Sequence, residues 1–278
     1  MKIDAHQHFW ALERGDYGWL TPDLDPIYRD FGPGDLAPHL EAAGIGGSVL
    51  VQAAPTDAET DYMLGLAAAH DTIKGVVGWV DFERADAPAR IADLARHKKL
   101  VGIRPMIQDI PDPDWMISPK LTPAFRAMVR HGLVFDALTL PKHLKNLATL
   151  LAQHPDLACV IDHGSKPDIA AGKFRDWAAD MAYLAGATQA RVKLSGLVTE
   201  AGPDWTVETL RPFADHIIAH FGAARVIWGS DWPVATLASD YARWWDTTGD
   251  LLAGLPQTDR AAILGQNAIE FYGLETPL

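Results

Sequence analysis

The feature that most constrains this chain is an alternation, repeated eight times, of a short apolar run with a longer, more polar segment. The apolar runs are rich in Val, Ile and Leu and too short for helices, so they predict strands. They are residues 2–9, 47–54, 74–82, 99–107, 133–140, 158–163, 191–197 and 225–230. Four intervening segments carry apolar residues at three- and four-residue spacing and predict helices. They are residues 57–70, 86–97, 141–153 and 206–220. Eight repeats of strand and helix predict an α/β fold closed into a (β/α)8 barrel of the TIM type.

The predicted connections differ in length on the two sides of the strands. Links from a helix to the next strand are short. They lie at 131–132, 154–158 and 221–224. Links that leave a strand are long. They lie at 10–35, 108–122, 164–173 and 198–205. In such a barrel the loops that leave the strands form the active-site face, where insertions accumulate.

No linker or change of composition divides the chain, so residues 1–278 are predicted to form a single domain. The alternative architecture is an open, doubly wound sheet. That fold ordinarily shows a glycine-rich turn after its first strand. Here the first strand runs into HQHFW instead, which favours the barrel.

Charge and composition narrow the classes of function. The net charge of −12 disfavours nucleic acid and anionic membrane surfaces as partners. The single cysteine, Cys159, lies in an apolar run and has no partner for an internal disulfide. No stretch approaches the ~20 apolar residues of a membrane span, and the first residues do not resemble a signal peptide. These features predict a cytoplasmic protein that acts on a small molecule, and they leave its oligomeric state open.

The first predicted strand ends in a pair of histidines with strand spacing. Alternate side chains of a strand face the same way, so His6 and His8 are expected to project together. Two imidazoles at the exit of the first barrel strand would form half of a metal site or an electrophilic clamp. The alternative is two polar residues in a loop.

Three other strands also end in residues of catalytic type. Asp231 follows the eighth strand, where the alternative role is the N-cap of the next helix. His163 follows the sixth strand and is otherwise a histidine bonded to a backbone carbonyl. Arg104 ends the fourth, where its fork of donors would bind an oxygen of a ligand or pair with an acid such as Asp109 or Asp112. Because these positions share one end of separate strands, they predict a single site at the mouth of the barrel.

These residues lie in longer motifs that resemble a known family. The motifs are DAHQHFW, GIRPMIQD followed by PDPDW, VIDHGSKP, VKLSGL, WGSDWP and the closing NAIEFYGL. They are similar to the amidohydrolase-related sugar lactonases, and most of all to L-fuconolactonases and L-rhamnonolactonases. The match runs in the expected order from Met1 to about Gly273. The resemblance implies a distorted (β/α)8 barrel that hydrolyses the ester of an aldonolactone.

The resemblance also implies roles for the same positions. His6 and His8 look like the first-strand pair, His163 like the later histidine, Asp231 like the last-strand acid and Arg104 like a substrate-binding arginine. In the wider superfamily the histidines and the aspartate commonly hold a divalent metal, which here would be held by His6, His8, His163 and Asp231.

The chain departs from the metal-rich members of that superfamily, which carry a bridging lysine on a middle strand and a further histidine. The fourth and fifth strands offer Arg104, Asp136 and Thr139 but no lysine within either apolar core, and the seventh ends in LSG. A binuclear centre is therefore not expected. One Zn²⁺ or another single divalent ion, and catalysis without metal, both stay open.

The hypothesis for the reaction assigns the general base to Asp231, which would take a proton from water and return it to the leaving ring oxygen. His6, His8, His163 and Arg104 would polarise the lactone carbonyl, directly or through one metal. Residues at or just past strand ends are candidates for contacting the sugar lactone, with burial in the core as the alternative for each. They are Trp10, Gln52, Gln108, Trp115 and Trp232, together with Arg104.

Residues outside these motifs receive weaker assignments. Lys193 and Asp81 are left between substrate contact and buried ion pairs, and Asn267 and Tyr272 are expected to close the barrel. Two other functions compete with the lactonase. One is a zinc-dependent decarboxylase or hydratase of the same superfamily, which would require tightly bound metal. The other is a non-catalytic sugar-binding barrel.

Overall fold

The computed structural model describes residues 1–276 and contains eight strands that pair in sequence order. The strands are β1 (Asp4–Gln7), β2 (Ser48–Val51), β3 (Ile73–Gly78), β4 (Leu100–Ile103), β5 (Val134–Ala137), β6 (Cys159–Ile161), β7 (Arg191–Leu194) and β8 (Val226–Trp228). Every neighbouring pair from β1 to β8 is parallel, which confirms the predicted sheet. The strands are shorter than the apolar runs. In the run 99–107, for example, Pro105 has no N–H to donate, and β4 ends at Ile103.

Eleven α-helices lie within residues 1–276. They are α1 (Pro33–Ala43), α2 (Asp57–Ala69), α3 (Ala87–Leu94), α4 (Thr122–His131), α5 (Leu144–Gln153), α6 (Arg175–Ala187), α7 (Leu197–Glu200), α8 (Val207–Phe221), α9 (Tyr241–Leu252), α10 (Gln257–Ala261) and α11 (Asn267–Tyr272). The predicted helices 57–70 and 206–220 agree with α2 and α8 within one residue at each end. The prediction for 86–97 runs too long, because the chain makes a tight turn in which the N–H of His97 donates to the carbonyl of Leu94.

The barrel is nearly closed, and its irregular seam lies between β1 and the segment that follows β8. No strand ladder joins the two sides there in the described residues. Instead the N–H of Asp231 donates to His6 O and the N–H of His8 donates to Trp232 O, each at 2.8 Å. The buried carboxylate of Asp4 also accepts from the N–H of Ser230 at 2.8 Å. This seam places Asp231, three residues past the end of β8, beside His6 and His8.

The apolar core has two parts, because alternate residues of each strand face opposite sides of the sheet. Val160 belongs to a small cluster of mostly β-branched residues inside the barrel, while Ile161 packs outward against the helices. Tyr272, at the end of α11, belongs to the inner cluster. Asn267 donates from Nδ2 to the carbonyls of Ala223 and Val226, both at 2.7 Å. The C-terminal helix therefore closes one end of the barrel, as predicted.

None of the helices in the described part of the chain is both long and apolar enough to cross a membrane.

Candidate active site

The structure brings together four residues that lie at the ends of β1, β6 and β8. Oδ1 of Asp231 lies 3.4 Å from Nε2 of His8, 3.7 Å from Nε2 of His163 and 3.9 Å from Nε2 of His6. All four side chains are almost completely buried. The positions of these residues at strand ends predicted that they would meet, and the roles assigned to the four residues stay predictions.

Unusual backbone conformations aim two of these side chains. The four residues His163, Gly164, Ser165 and Lys166 all have positive φ, between 49° and 62°, and so form a left-handed turn. Asp231 has a φ of 59°. Each non-glycine residue in this region costs about 1–2 kcal/mol, and such strain concentrates at functional sites. Asp231 does not cap the following short helix, for which no side-chain cap bond is present in the described residues. The predicted alternative of an N-cap is therefore wrong.

Two glycines leave room for the imidazoles. A Cβ on Gly196 would lie 2.5 Å from Nδ1 of His163. A Cβ on Gly229 would lie 2.6 Å from Cβ of His6. Real Cβ atoms do not approach other atoms this closely, so a larger residue at either position would displace an imidazole of the site.

The ring nitrogens that face away from Asp231 have defined partners. Nδ1 of His8 lies 2.7 Å from Val51 O and donates to it, which leaves the lone pair of Nε2 facing Asp231. Nδ1 of His163 lies 2.9 Å from the hydroxyl of Ser195. The alternative of a carbonyl-bonded histidine therefore applies to His8 and not to His163.

Burial keeps these histidines neutral. It lowers the pKa of His8, lowers that of His6 far below its ordinary value, and lowers the pKa of His163 to about 4. For Asp231 burial raises the pKa of the carboxyl, but the nearby His163 imidazole outweighs burial and holds this pKa well below its usual range. At neutral pH the site therefore holds an ionised carboxylate among neutral imidazoles.

Arg104 reaches the same cluster from the end of β4. Its Nε donates to Oε1 of Gln52 at 2.8 Å, and Nη2 donates to the carbonyl of Gln52. Its Nη1 lies 3.3 Å from Nε2 of His6 and 3.5 Å from Oδ2 of Asp162. Among the described residues Arg104 forms no ion pair with Asp109 or Asp112, the acids predicted as alternatives. It turns inward, and the acid within its reach is Asp162. Gln52 is fully buried and holds Arg104 in place.

A buried charge network lies beneath the cluster, and the sequence had indicated only that Lys193 could form buried ion pairs, without naming their partners. Nζ of Lys193 on β7 lies 2.5 Å from Oδ2 of Asp136 and 3.0 Å from Oδ1 of Asp162. The hydroxyl of Tyr272 donates to Oδ2 of Asp136 at 2.8 Å. Burial raises the pKa of Asp136 to about 6, whereas Lys193 and His6 overcome burial and hold the pKa of Asp162 well below its usual range. The signal available in the sequence was Lys193, a lysine within an apolar strand. Of its two possible roles, substrate contact and buried ion pairs, the structure shows the buried ion pairs.

The cluster opens into a cavity of about 350 Å³, within the range typical of small-molecule sites. His8, Arg104, His163 and Asp231 line one part of it. Other polar residues of the wall are Gln108, Asp109, Lys166, Thr199 and Glu200, and the apolar ones include Trp19, Leu24, Leu138 and Val234. Nζ of Lys166 lies 3.8 Å from Oε1 of Glu200.

The residues proposed to contact substrate are found in different environments. Gln108 lines the cavity. Trp10 and Trp232 are buried, each edge-on to Phe31, and lie behind the cavity wall. Trp115 and Asp81 line a neighbouring cavity of about 580 Å³. Trp19, which lies in the long loop after β1, lines the site instead.

The donor set fits a single divalent ion by chemical type and spacing. His6, His163 and Asp231 each offer one ligand atom, and these atoms lie within 4.8 Å of one another. Two imidazoles and a carboxylate with an open position are an ordinary set for catalytic zinc. On these residues a binuclear centre lacks a second set of ligands, since Lys193 is engaged by carboxylates.

A parallel (β/α)8 barrel with histidines and an aspartate converging at its strand ends defines the class of amidohydrolase-type barrels. The chain matches the family model described as amidohydrolase over residues 3–274. A curated relative described as L-fucono-1,5-lactonase, from Burkholderia ambifaria, is 46% identical over 282 residues and covers 99% of this chain and 97% of the relative. A second L-fucono-1,5-lactonase, from Burkholderia multivorans, is 32% identical over 295 residues, covering 100% and 97%.

A similar solved structure supports the same barrel fold. An amidohydrolase from Burkholderia multivorans with bound zinc has a TM-score of 0.93 and 31% sequence identity, and the match covers 99% of this chain and 100% of that one. The chain belongs to the amidohydrolase family.

Proposed function

We propose that this protein hydrolyses the ester bond of a small sugar lactone, an aldonolactone such as L-fuconolactone or L-rhamnonolactone, to the aldonic acid. The observation that carries the proposal is the ionised carboxylate of Asp231 among neutral imidazoles beside Arg104, at one end of a cavity of small-molecule size. Two relatives described as L-fucono-1,5-lactonase support the same substrate class.

The position of the attacking water follows from two facing acceptors. Nε2 of His8 carries a lone pair, because Nδ1 donates to Val51 O, and it lies 3.4 Å from Oδ1 of Asp231. A water that donates one hydrogen to each acceptor would relieve their repulsion and would be held for attack. Asp231 then takes a proton from this water as general base. A carboxylate is a weak base, but a lactone is a reactive ester.

The lactone carbonyl needs hydrogen-bond donors as it becomes an oxyanion. Arg104 supplies a fixed guanidinium, because Gln52 holds its Nε and Nη2. His163 lines the cavity, and the ring centroid of His6 lies 4.4 Å from that of His163, so both imidazoles are proposed as further donors. The water oxygen bonds to the carbonyl carbon, the ring C–O bond breaks, and Asp231 returns the proton to the released ring oxygen.

A divalent ion held by His6, His163 and Asp231 would polarise the carbonyl and acidify a bound water. In the proposed reaction Asp231 carries out both proton transfers. We therefore expect turnover without added metal.

The remaining wall suits a polyhydroxylated ring. Gln108, Lys166, Thr199 and Glu200 offer donors and acceptors, while Trp19 and Leu138 offer apolar surface for C–H faces. The substrate class is thus a neutral sugar lactone, and the product is an anion.

A pH-indicator assay across a panel of aldonolactones tests the proposal, with each lactone assayed with and without chelator. We expect acid release well above the spontaneous rate for at least one six-carbon or 6-deoxy lactone, and no loss of rate with chelator. Asp231→Asn protein is the matched blank. The absence of enzymatic acid release from every lactone would contradict the proposal. Chelator-sensitive release of CO₂ from an aromatic acid would instead indicate the zinc-dependent decarboxylase.

A further inference from the structure

His6 lies between two cationic side chains, and each of them directs a donor at one of its ring nitrogens. Nζ of Lys193 lies 3.1 Å from Nδ1, and Nη1 of Arg104 lies 3.3 Å from Nε2. An ammonium and a guanidinium can only donate. A neutral imidazole has one accepting nitrogen and one that carries a proton, so His6 accepts from only one of the two.

Of the two cationic side chains, Lys193 is the one that donates a hydrogen bond to His6. Its side chain is fully buried. Its Nζ hydrogen-bonds Asp136 Oδ2 at 2.5 Å and Nδ1 of His6 at 3.1 Å, and it forms an ion pair with Asp162 Oδ1 at 3.0 Å. Because an ammonium can only donate, the contact between Lys193 and His6 requires Nδ1 as the acceptor.

Arg104 does not need His6 as an acceptor. Its Nε and Nη2 are bonded to Gln52, and Nη1 has the carboxylate of Asp162 within 3.5 Å. The remaining competitor for Nδ1 is Oδ1 of Asp162 at 3.4 Å, which would accept a proton from that nitrogen. This arrangement is disfavoured, because a proton on Nδ1 would face the nearer ammonium.

We propose that Lys193 is a positioning residue that fixes the proton of His6 on Nε2. His6 and Arg104 then present two N–H donors 3.3 Å apart, a spacing at which both can bond one carbonyl oxygen. The role of this donor pair rests on the proposed lactonase function, whereas the position of the proton does not.

The position of the His6 proton also affects how tightly the site can bind a metal ion. A histidine that ligates a metal ordinarily donates its other ring N–H to an acceptor. His8 follows that rule through Val51 O, whereas His6 faces an ammonium. With its proton on Nε2, His6 has no lone pair for the candidate ion site, and only His163 and Asp231 of that set remain. Lys193 therefore weakens zinc binding.

Nuclear magnetic resonance of the unmodified protein tests the proton position directly. Full-length, chelator-treated protein is labelled with ¹⁵N-histidine, and the two ring nitrogens of each histidine are identified through their carbon-bound protons. The signals of His6 are assigned by their loss in His6→Asn. We expect a neutral ring protonated on Nε2. A ring protonated on Nδ1 overturns the proposal, even if the protein is an active lactonase.

A charge-balanced variant tests the consequence for metal. Lys193→Met combined with Asp136→Asn removes the ammonium and one carboxylate together, and Lys2→Met, which removes a lysine bonded to Ala43 O, is the control. After circular dichroism has verified folding, Zn²⁺ binding is measured by calorimetry. We expect about 10-fold tighter binding or more in the double variant. Zinc affinity equal to that of the control overturns the proposal.

Turnover provides the third readout. The double variant is expected to lose about 10²-fold in kcat with KM little changed, because a donor to the oxyanion has lost its fixed orientation. An unchanged kcat in a wild-type-active protein contradicts the donor role of His6. If no lactone is hydrolysed by the wild-type protein, the proposed function fails, and the resonance and zinc measurements still decide the position of the proton.

Discussion

Oδ1 of Asp231 and Nε2 of His8 lie 3.4 Å apart, although 223 residues separate them in the chain. The seam between β1 and the end of β8 produces this contact, since backbone hydrogen bonds there join Asp231 to His6 and His8 to Trp232. Two acceptors that face each other at this distance form a place for a donor such as water. The proposed base and the proposed position of its water therefore both depend on the irregular closure of the barrel.

Asp231→Asn should lower kcat by about 10³-fold, because the amide cannot accept a proton from water. The thermal midpoint should change little, since the backbone bonds of Asp231 remain. Steady-state kinetics on the best lactone gives the test, with Asp93→Asn, at an exposed pair on α3, as the control. Near-normal turnover of the Asp231 variant would remove this residue from the role of base.

Arg104→Lys should lower kcat/KM by about 10²-fold. The charge is retained, but the fork that bonds both groups of Gln52 is lost, so the donor is no longer fixed. Arg90→Lys is the matched control, because Arg90 pairs with Asp57 and Asp61 at the surface. Equal rates in the two variants would show that the guanidinium geometry is not needed.

Glu59 should make the stability of the fold depend on pH. Burial raises the pKa of its carboxyl to about 7, although bonds from the N–H groups of Ala53 and Ala54 oppose the shift. The folded chain binds this proton more tightly than the unfolded chain does. The stabilisation is therefore complete below the ordinary value of 4.5 and is lost as the pH rises through about 7.

The measurement is the difference in unfolding free energy between wild type and Glu59→Gln, in which other titrating groups cancel. From about pH 5 to about pH 8 the wild type should lose about 2 kcal/mol relative to the variant. A difference that does not vary with pH would contradict the shift.

Asn267→Ala should destabilise the protein by about 2–3 kcal/mol, because two buried carbonyls lose their donor. Asn146→Ala is the matched control, since Asn146 also makes two bonds from Nδ2 but is partly exposed, and less than 1 kcal/mol is expected. Urea unfolding measures both. The kcat of Asn267→Ala should be unchanged, because this residue lies at the opposite end of the barrel from the site.

The sequence by itself determined the barrel and the location of the site. Strand and helix periods are local properties, so eight alternations of apolar run and helical segment could be read along the chain. Parallel strands bring their carboxyl ends to one face, and this rule alone predicted that His6, His8, His163 and Asp231 would meet.

Only the tertiary structure decided which side chains reach the cavity and which lie behind it. Trp10 and Trp232 follow strand ends as Gln108 does, yet both are buried among aromatic rings. The partners of Lys193 likewise come from β1, β5 and β6, and no local pattern states which residues of distant strands face each other across a barrel interior. These contacts depend on the register and the closure of the sheet, which are set by the whole fold.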